Sequence, residues 1–220
     1  MESDVQHWWK PLSLTDARVY PTEQTLKNFL AKAKNRFHFS NSDVESLTTS
    51  IQLWLESHPQ DSIFFQPPSP SNNDDFIRVV QTAHQRELLM RYGLRCFGID
   101  TTYKTNRYDF ALFFVVVLDN SRQTQIAAMF LLPKEDHSRI AAALQQLRAW
   151  NPTWKPAFVV IDKSEAELKA LPTVFGSSGS GFQIILCNFH RLQAVWRWLN
   201  NEAHTPSMTY DSQRKIFIAF

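Results

Sequence analysis

The longest apolar run in this chain, Phe110 to Leu118, holds no charge, no glycine and no proline. It falls far short of the ~20 residues that a membrane-crossing helix needs. Both alternating sides are apolar: Phe110, Leu112, Phe114 and Val116 on one, Ala111, Phe113, Val115 and Val117 on the other. Such a strand, read here from Tyr108 to Leu118, is expected inside a sheet with helices over both faces. The turn Asp119-Asn120-Ser121-Arg122 follows, and Thr124 to Leu132 returns as a further strand. Ahead of the run, Leu94 to Ile99 reads as a strand that ends at Asp100.

Pro133 stops the return strand, and His137 to Trp150 then has helical spacing, with Ile140, Leu144, Leu147 and Trp150 along one side. Ala157 to Ile161 is a short strand ending at Asp162, and Ser164 to Leu171 a helix with Ser164 as its cap. Gly176 to Gly181 is a Gly/Ser connector and not a phosphate cradle, since no Gly-Lys-Ser/Thr follows it. Gln183 to Leu186 is a fifth strand, and Arg191 to Asn200 a helix. The order β-β-β-α-β-α-β-α predicts an antiparallel meander to which later strands add in parallel through right-handed crossovers. The fold class is therefore α/β, a mixed five-stranded sheet flanked by helices.

Residues 1–75 read as a small helical region ahead of that core. Thr22 to Arg36 has helical spacing, and Ser42 with Glu45 forms a capping-box pattern before the stripe Val44, Leu47, Ile51, Trp54 and Leu55. His58-Pro59 ends this helix. The Pro-, Ser- and Asn-rich stretch 66–75 is a linker and marks the boundary. The core spans 76–200, and 201–220 is a helical segment that reads as cut midway within Gln213 to Phe220.

The 220 residues carry a formal net charge of +2. That balance permits nucleic-acid binding without arguing for it. Only Cys96 and Cys187 are present, which excludes a disulfide framework and fits a reducing compartment. Met1 to Lys10 has no apolar core of a secretory signal.

Asp100 and Asp162 each follow an apolar strand run, where sites in α/β sheets gather. If the two strands are neighbours, the carboxylates face each other and repel unless a cation neutralises them. Oxygen ligation of this kind suits Mg²⁺ or Mn²⁺, the ions of two-metal phosphoryl transfer. The plainer reading makes each a turn former or cap, with Asp162 capping the helix at Ser164. Cys187-Asn-Phe-His190 is half of a zinc pattern that lacks two ligands. Its plainer reading is a small buried cysteine and a histidine bonding across the turn. Lys104, Arg107, Lys163, Arg191 and Arg197 fall near the same sheet end, as a DNA-backbone channel or simply as solvated surface.

Three motifs in order resemble a Mutator-like element (MULE) transposase domain. They are Gly98-Ile-Asp100-Thr-Thr-Tyr-Lys104, Val160-Ile-Asp162-Lys-Ser-Glu-Ala-Glu167 and Leu186-Cys-Asn-Phe-His190-Arg-Leu-Gln193 followed by Trp196-Arg-Trp198. The same core occurs in SWIM zinc-finger proteins and other host genes derived from such transposases. The resemblance covers about residues 85–200 and implies an RNase H-like fold. It implies Asp100 and Asp162 as the first two catalytic, metal-binding members of an Asp-Asp-Glu triad, and a site-supporting role for Cys187 and His190. The third member is expected further on, after a helical insertion; Glu202 comes too early.

The resemblance implies Mg²⁺- or Mn²⁺-dependent cutting and joining of DNA, and a nuclear location. It implies DNA and protein partners, with no membrane and no small-molecule substrate. The competing expectation is a catalytically inactive, host-adopted or decayed fragment that serves as a nucleic-acid or protein interaction module. A third is a nuclease acting on RNA–DNA hybrids. A third carboxylate within reach of the first two separates these readings.

Overall fold

The computed structural model describes residues 22–24, 26–28, 42–69, 75–176, 181–200, 209, 211–212 and 214–215. Two compact units emerge, residues 1–54 and 55–220. Most of helix α1 (Asp43–Ser57) lies in the first. The Ser42 hydroxyl accepts from the Glu45 amide at 3.5 Å, and the helix stops one residue before His58-Pro59, as the sequence predicts. The rest of the helix expected over 22–36 lies outside the described residues, as do Glu202 and most of 213–220.

The second unit is built on one sheet. Its strands are β1 (Ser62–Gln66), β2 (Ile77–Gln81), β3 (Cys96–Thr102), β4 (Ala111–Leu118), β5 (Thr124–Leu132), β6 (Phe158–Ile161) and β7 (Gln183–Leu186). Its helices are α2 (Ala83–Tyr92), α3 (His137–Trp150), α4 (Glu165–Phe175) and α5 (Asn188–Leu199). The sheet order is β1-β2-β5-β4-β3-β6-β7. The β3-β4-β5 meander is antiparallel, and β6 and β7 add in parallel beside β3. This is the expected RNase H-like arrangement, with seven strands in place of five. The two extra strands pair antiparallel with each other and extend the β5 edge. β1 falls within the stretch read from sequence as helical.

One face of the sheet is closed. Across it run Val79, Phe130, Phe113, Val115, Ile99, Phe97, Val159 and Ile161, all buried. Helices α2 and α3 pack on β2, β4 and β5, and α4 packs on α3. Phe113 stacks on its cross-strand partner Phe130 with centroids 4.7 Å apart. Trp154, fully buried, sits edge-on to Phe97 and Phe175, and its indole N–H donates to the Gly93 carbonyl at 3.0 Å.

A buried amide network lies on this side. The Asn151 amide donates to the Gln81 Oε1 and the Leu147 carbonyl, both at 2.8 Å, while the Gln81 amide donates to the Ala127 carbonyl at 3.1 Å. Burial of this kind without partners would cost about 1–3 kcal/mol per group.

The opposite face corrects the expectation that β4 is buried on both sides. Leu112, Phe114 and Val116 are only half-buried, and Leu118 is exposed. The apolar run is one strand with unequal faces: helices cover one, and among the described residues the other keeps solvent contact.

Candidate functional site

Strands β3, β5, β6 and β7 all run the same way, so their carboxyl ends lie at one edge. Asp100 lies within β3, opposite Phe114 on β4, and its side chain is exposed. The parallel register pairs Phe97 with Val159 and Gly98 with Val160. Continued two residues, it sets Asp100 beside Asp162 on strands spaced about 4.8 Å apart. By strand alternation Asp100 shares Gly98's open face, while Thr101 belongs to the closed one.

Asp162 does not cap the next helix. Ser164 does, its hydroxyl accepting from the Glu167 amide at 3.2 Å. The Asp162 carboxylate is 59% exposed, accepts from the Lys163 amide at 2.7 Å, and lies 3.9 Å from His190 Nδ1. That nitrogen is buried without a hydrogen-bond partner. The Cys-x-x-His turn thus brings its histidine to the second carboxylate. Cys187 occupies the N-cap position of α5, its side chain makes no capping bond, and it is a half-exposed free thiol. Cys96 is also free, on β3, with its thiol pKa raised chiefly by burial. Among the described residues no three His, Cys, Asp or Glu side chains converge closely enough to hold a metal ion.

A second acidic layer lies beside the pair, and sequence reasoning missed it. Glu167, on the first turn of α4, is 2% exposed. Thr101, the residue after Asp100, donates to its Oε1 at 3.2 Å, while Oε2 is buried and unpartnered. Burial pushes its pKa up to about 8; the Thr101 bond opposes this, and the charges of Glu135, Asp162 and Asp100 add to it.

Glu135, between β5 and α3, accepts from the Tyr103 hydroxyl on one oxygen and the Ser164 hydroxyl on the other. The Tyr103 phenol is pushed up, first by burial and then by its bond to Glu135. Thr101 and Tyr103 therefore tie the segment around Asp100 to Glu167 and Glu135. Among the described residues, His190 is the only basic side chain within ion-pair reach of these four carboxyls.

The signal for Glu167 was present but pointed elsewhere. Ser164-Glu-Ala-Glu167 reads as a capping box, which would send the Glu167 carboxylate back to the Ser164 amide. That amide donates instead to the Asp162 carbonyl at 2.8 Å, leaving Glu167 for Thr101.

Lys104 and Arg107 lie on the β3–β4 loop, Lys163 follows Asp162, and Arg191 and Arg197 are on α5; all five are exposed. Lys104 has a positive φ of 58°. The Arg107 guanidinium lies 5.0 Å from the Tyr108 ring centroid and donates to its hydroxyl at 2.8 Å. Arg191 donates to Asn188 at 2.8 Å.

Solved structures with some likeness include the HTLV-2 integrase catalytic core domain in complex with magnesium, in its trimeric form. It has 16% identity and a TM-score of 0.32 over 56% of this chain and 82% of that one. A simian T-cell lymphotropic virus intasome in complex with PP2A regulatory subunit B56 gamma has 13% identity and a TM-score of 0.29, over 56% of this chain and 47% of that one. At such scores the likeness carries no weight for function. No curated protein matches the chain. The family described as "Zinc finger SWIM domain-containing protein 1/3, RNaseH-like domain" matches residues 57–179, more than half of the sequence. With the strand order above, that match places the chain in the family of RNase H-like domains of zinc finger SWIM domain-containing proteins 1/3.

Proposed function

We propose that this domain is transposase-derived, of the Mutator-like kind, and that its acidic edge takes up Mg²⁺ or Mn²⁺ to engage DNA. The observation that carries the reading is the parallel register of β3 and β6, which pairs Gly98 with Val160 and, continued two residues, brings Asp100 level with Asp162. Both are exposed, and among the described residues only His190 stands near either as a counter-charge. Mg²⁺ commonly binds through one or two carboxylates and keeps several waters, so two aspartates fit it. When bound, such an ion would activate an attacking oxygen and stabilise a leaving one. The chain's own part is to hold Asp100 on β3 and Asp162 against His190. Lys104, Arg107, Lys163 and Arg191 stand where a phosphate backbone would approach. A nuclear location goes with this reading.

The test is calorimetric titration of Mg²⁺ and Mn²⁺ into the wild type and an Asp100→Asn, Asp162→Asn double variant. Binding lost in the double variant supports the site; no binding by the wild type at millimolar ion removes it. The absence of a converged three-residue cluster among the described residues favours a second reading, a non-catalytic module that binds nucleic acid or protein. DNA binding that survives the double substitution and needs no divalent ion would support that one.

A further inference from the structure

The parallel pairing of β3 with β6 ends at Gly98 and Val160, two residues short of Asp100 and Asp162. Past that point the ladder no longer fixes how far apart the two strand ends stand. Among the described residues, two side-chain links join the segments beyond it. Thr101 donates to Glu167 on α4 at 3.2 Å. Tyr103, three residues after Asp100, and Ser164, two after Asp162, both donate their hydroxyls to one carboxylate, that of Glu135.

Glu135 lies in the short connection from β5 to α3 and is exposed. An ionised carboxylate only accepts, and each Glu135 oxygen takes one hydroxyl, one from the β3 side and one from the β6 side. Bonds to a charged acceptor are the stronger kind. Ser164 is also the cap of α4, its hydroxyl accepting from the Glu167 amide at 3.2 Å, so the link runs on into the helix that follows Asp162. Both Glu135 oxygens are thus spent on the protein's own hydroxyls.

Resting on the ion-binding reading above, we propose that Glu135 is a positioning residue of this site, a clasp that joins the ends of β3 and β6 and so sets the spacing of Asp100 and Asp162. Mg²⁺ demands near-ideal octahedral geometry at about 2.0–2.1 Å, whereas Ca²⁺ accepts looser arrangements at about 2.3–2.6 Å. A clasped pair favours the smaller ion, and an unclasped pair loses that preference.

The experiment is calorimetric titration of MgCl₂ and CaCl₂ into the full chain and its Glu135→Ala, Glu135→Gln and Tyr103→Phe variants. Glu135→Ala is expected to weaken Mg²⁺ binding about 10–100-fold, the usual effect of losing a group that orients metal ligands, and Ca²⁺ binding less. Glu135→Gln can accept from Tyr103 and donate to the Ser164 oxygen, and is expected to keep most of the affinity. Tyr103→Phe is expected to cost part of it and to add nothing on top of Glu135→Ala, since both remove one link. Mg²⁺ binding by Glu135→Ala equal to that of the wild type overturns the clasp and leaves the ion site standing. Equal losses in the Gln and Ala variants overturn it too, because Glu135 would then act through its charge. A wild type that binds neither ion overturns both readings.

Amide hydrogen exchange on the ion-free protein reads the clasp directly. Glu135→Ala is expected to speed exchange in Thr101–Tyr103 and in Asp162–Glu167 together, with protection elsewhere in the sheet unchanged. Unchanged exchange in either segment, or a rise spread over the whole sheet, refutes the clasp.

Discussion

Replacing Glu167 with Gln should reshape the pH dependence of stability even with no ion present. In the folded protein the Glu167 pKa is about 8, against an ordinary value of 4.5. Between those pH values the folded chain holds a proton that the unfolded chain has lost. Stability therefore falls as pH rises, by up to about 1.4 kcal/mol per pH unit. It is intact below the ordinary value and levels off above about pH 8. Across the whole span the loss is on the order of 4–5 kcal/mol, a large share of the 5–15 kcal/mol that holds a typical domain together.

Gln carries no charge in either state and can still accept from Thr101, but its buried amide leaves a donor unpaired, at about 1–3 kcal/mol at every pH. The variant should thus be the less stable protein at pH 4 and the more stable one at pH 8, with the curves crossing between. Urea denaturation followed by tryptophan fluorescence at half-unit steps from pH 4 to 9 measures this directly. The difference between the two profiles cancels every titration they share. Parallel profiles from pH 5 to 8 would refute the reasoning, because they would mean that Glu167 ionises in the fold as freely as it does in water.

Two further expectations concern the scaffold. Trp154→Phe keeps an aromatic ring against Phe97 and Phe175 but strands the Gly93 carbonyl and leaves a void; a loss of about 2–4 kcal/mol is expected by urea denaturation. Gly98→Ala would set a Cβ 2.9 Å from Val116 Cγ2, a stiff β-branched neighbour, two residues before Asp100. It should cost about 1–3 kcal/mol and weaken divalent-ion binding, whereas an unchanged unfolding midpoint would show slack between β3 and β4.

The sheet was legible where side-chain alternation is strong. The bounds of β5, α3 and β7 match those expected from sequence, and the strand order follows from the spacing of short turns and helices. The edge was not legible. β1 is short, and β2 carries Arg78 and Gln81 within an apolar pattern, because Gln81 is spent on a buried hydrogen-bond network that periodicity does not reveal. Helix α2 buries only Leu89 on a largely polar sequence, yet its Thr82–Gln85 capping box is complete, a local signal that an apolar search passes over.

The same limit explains the site. Asp100 and Asp162 stood out because each follows an apolar strand run, where sites in α/β sheets gather. Glu167 and Glu135 lie on polar stretches where a glutamate is ordinary, and what sets them apart is three-dimensional. Asp100-Thr-Thr-Tyr103 reads in sequence as one acid followed by turn residues. In the fold, strand alternation sends Asp100 to the open face and Thr101 to the closed one, where its hydroxyl meets Glu167; Tyr103 reaches Glu135. Position 101 thus calls for a hydrogen-bond donor of threonine's size. Valine there would keep the β-branched shape and remove the only described bond to Glu167 Oε1. The Glu167 pKa would then rise further, because the bond that pulls it down is the one deleted. The pH at which wild-type stability levels off should move upward in Thr101→Val, and a downward or absent movement would mean that the hydroxyl does not act on Glu167 at all.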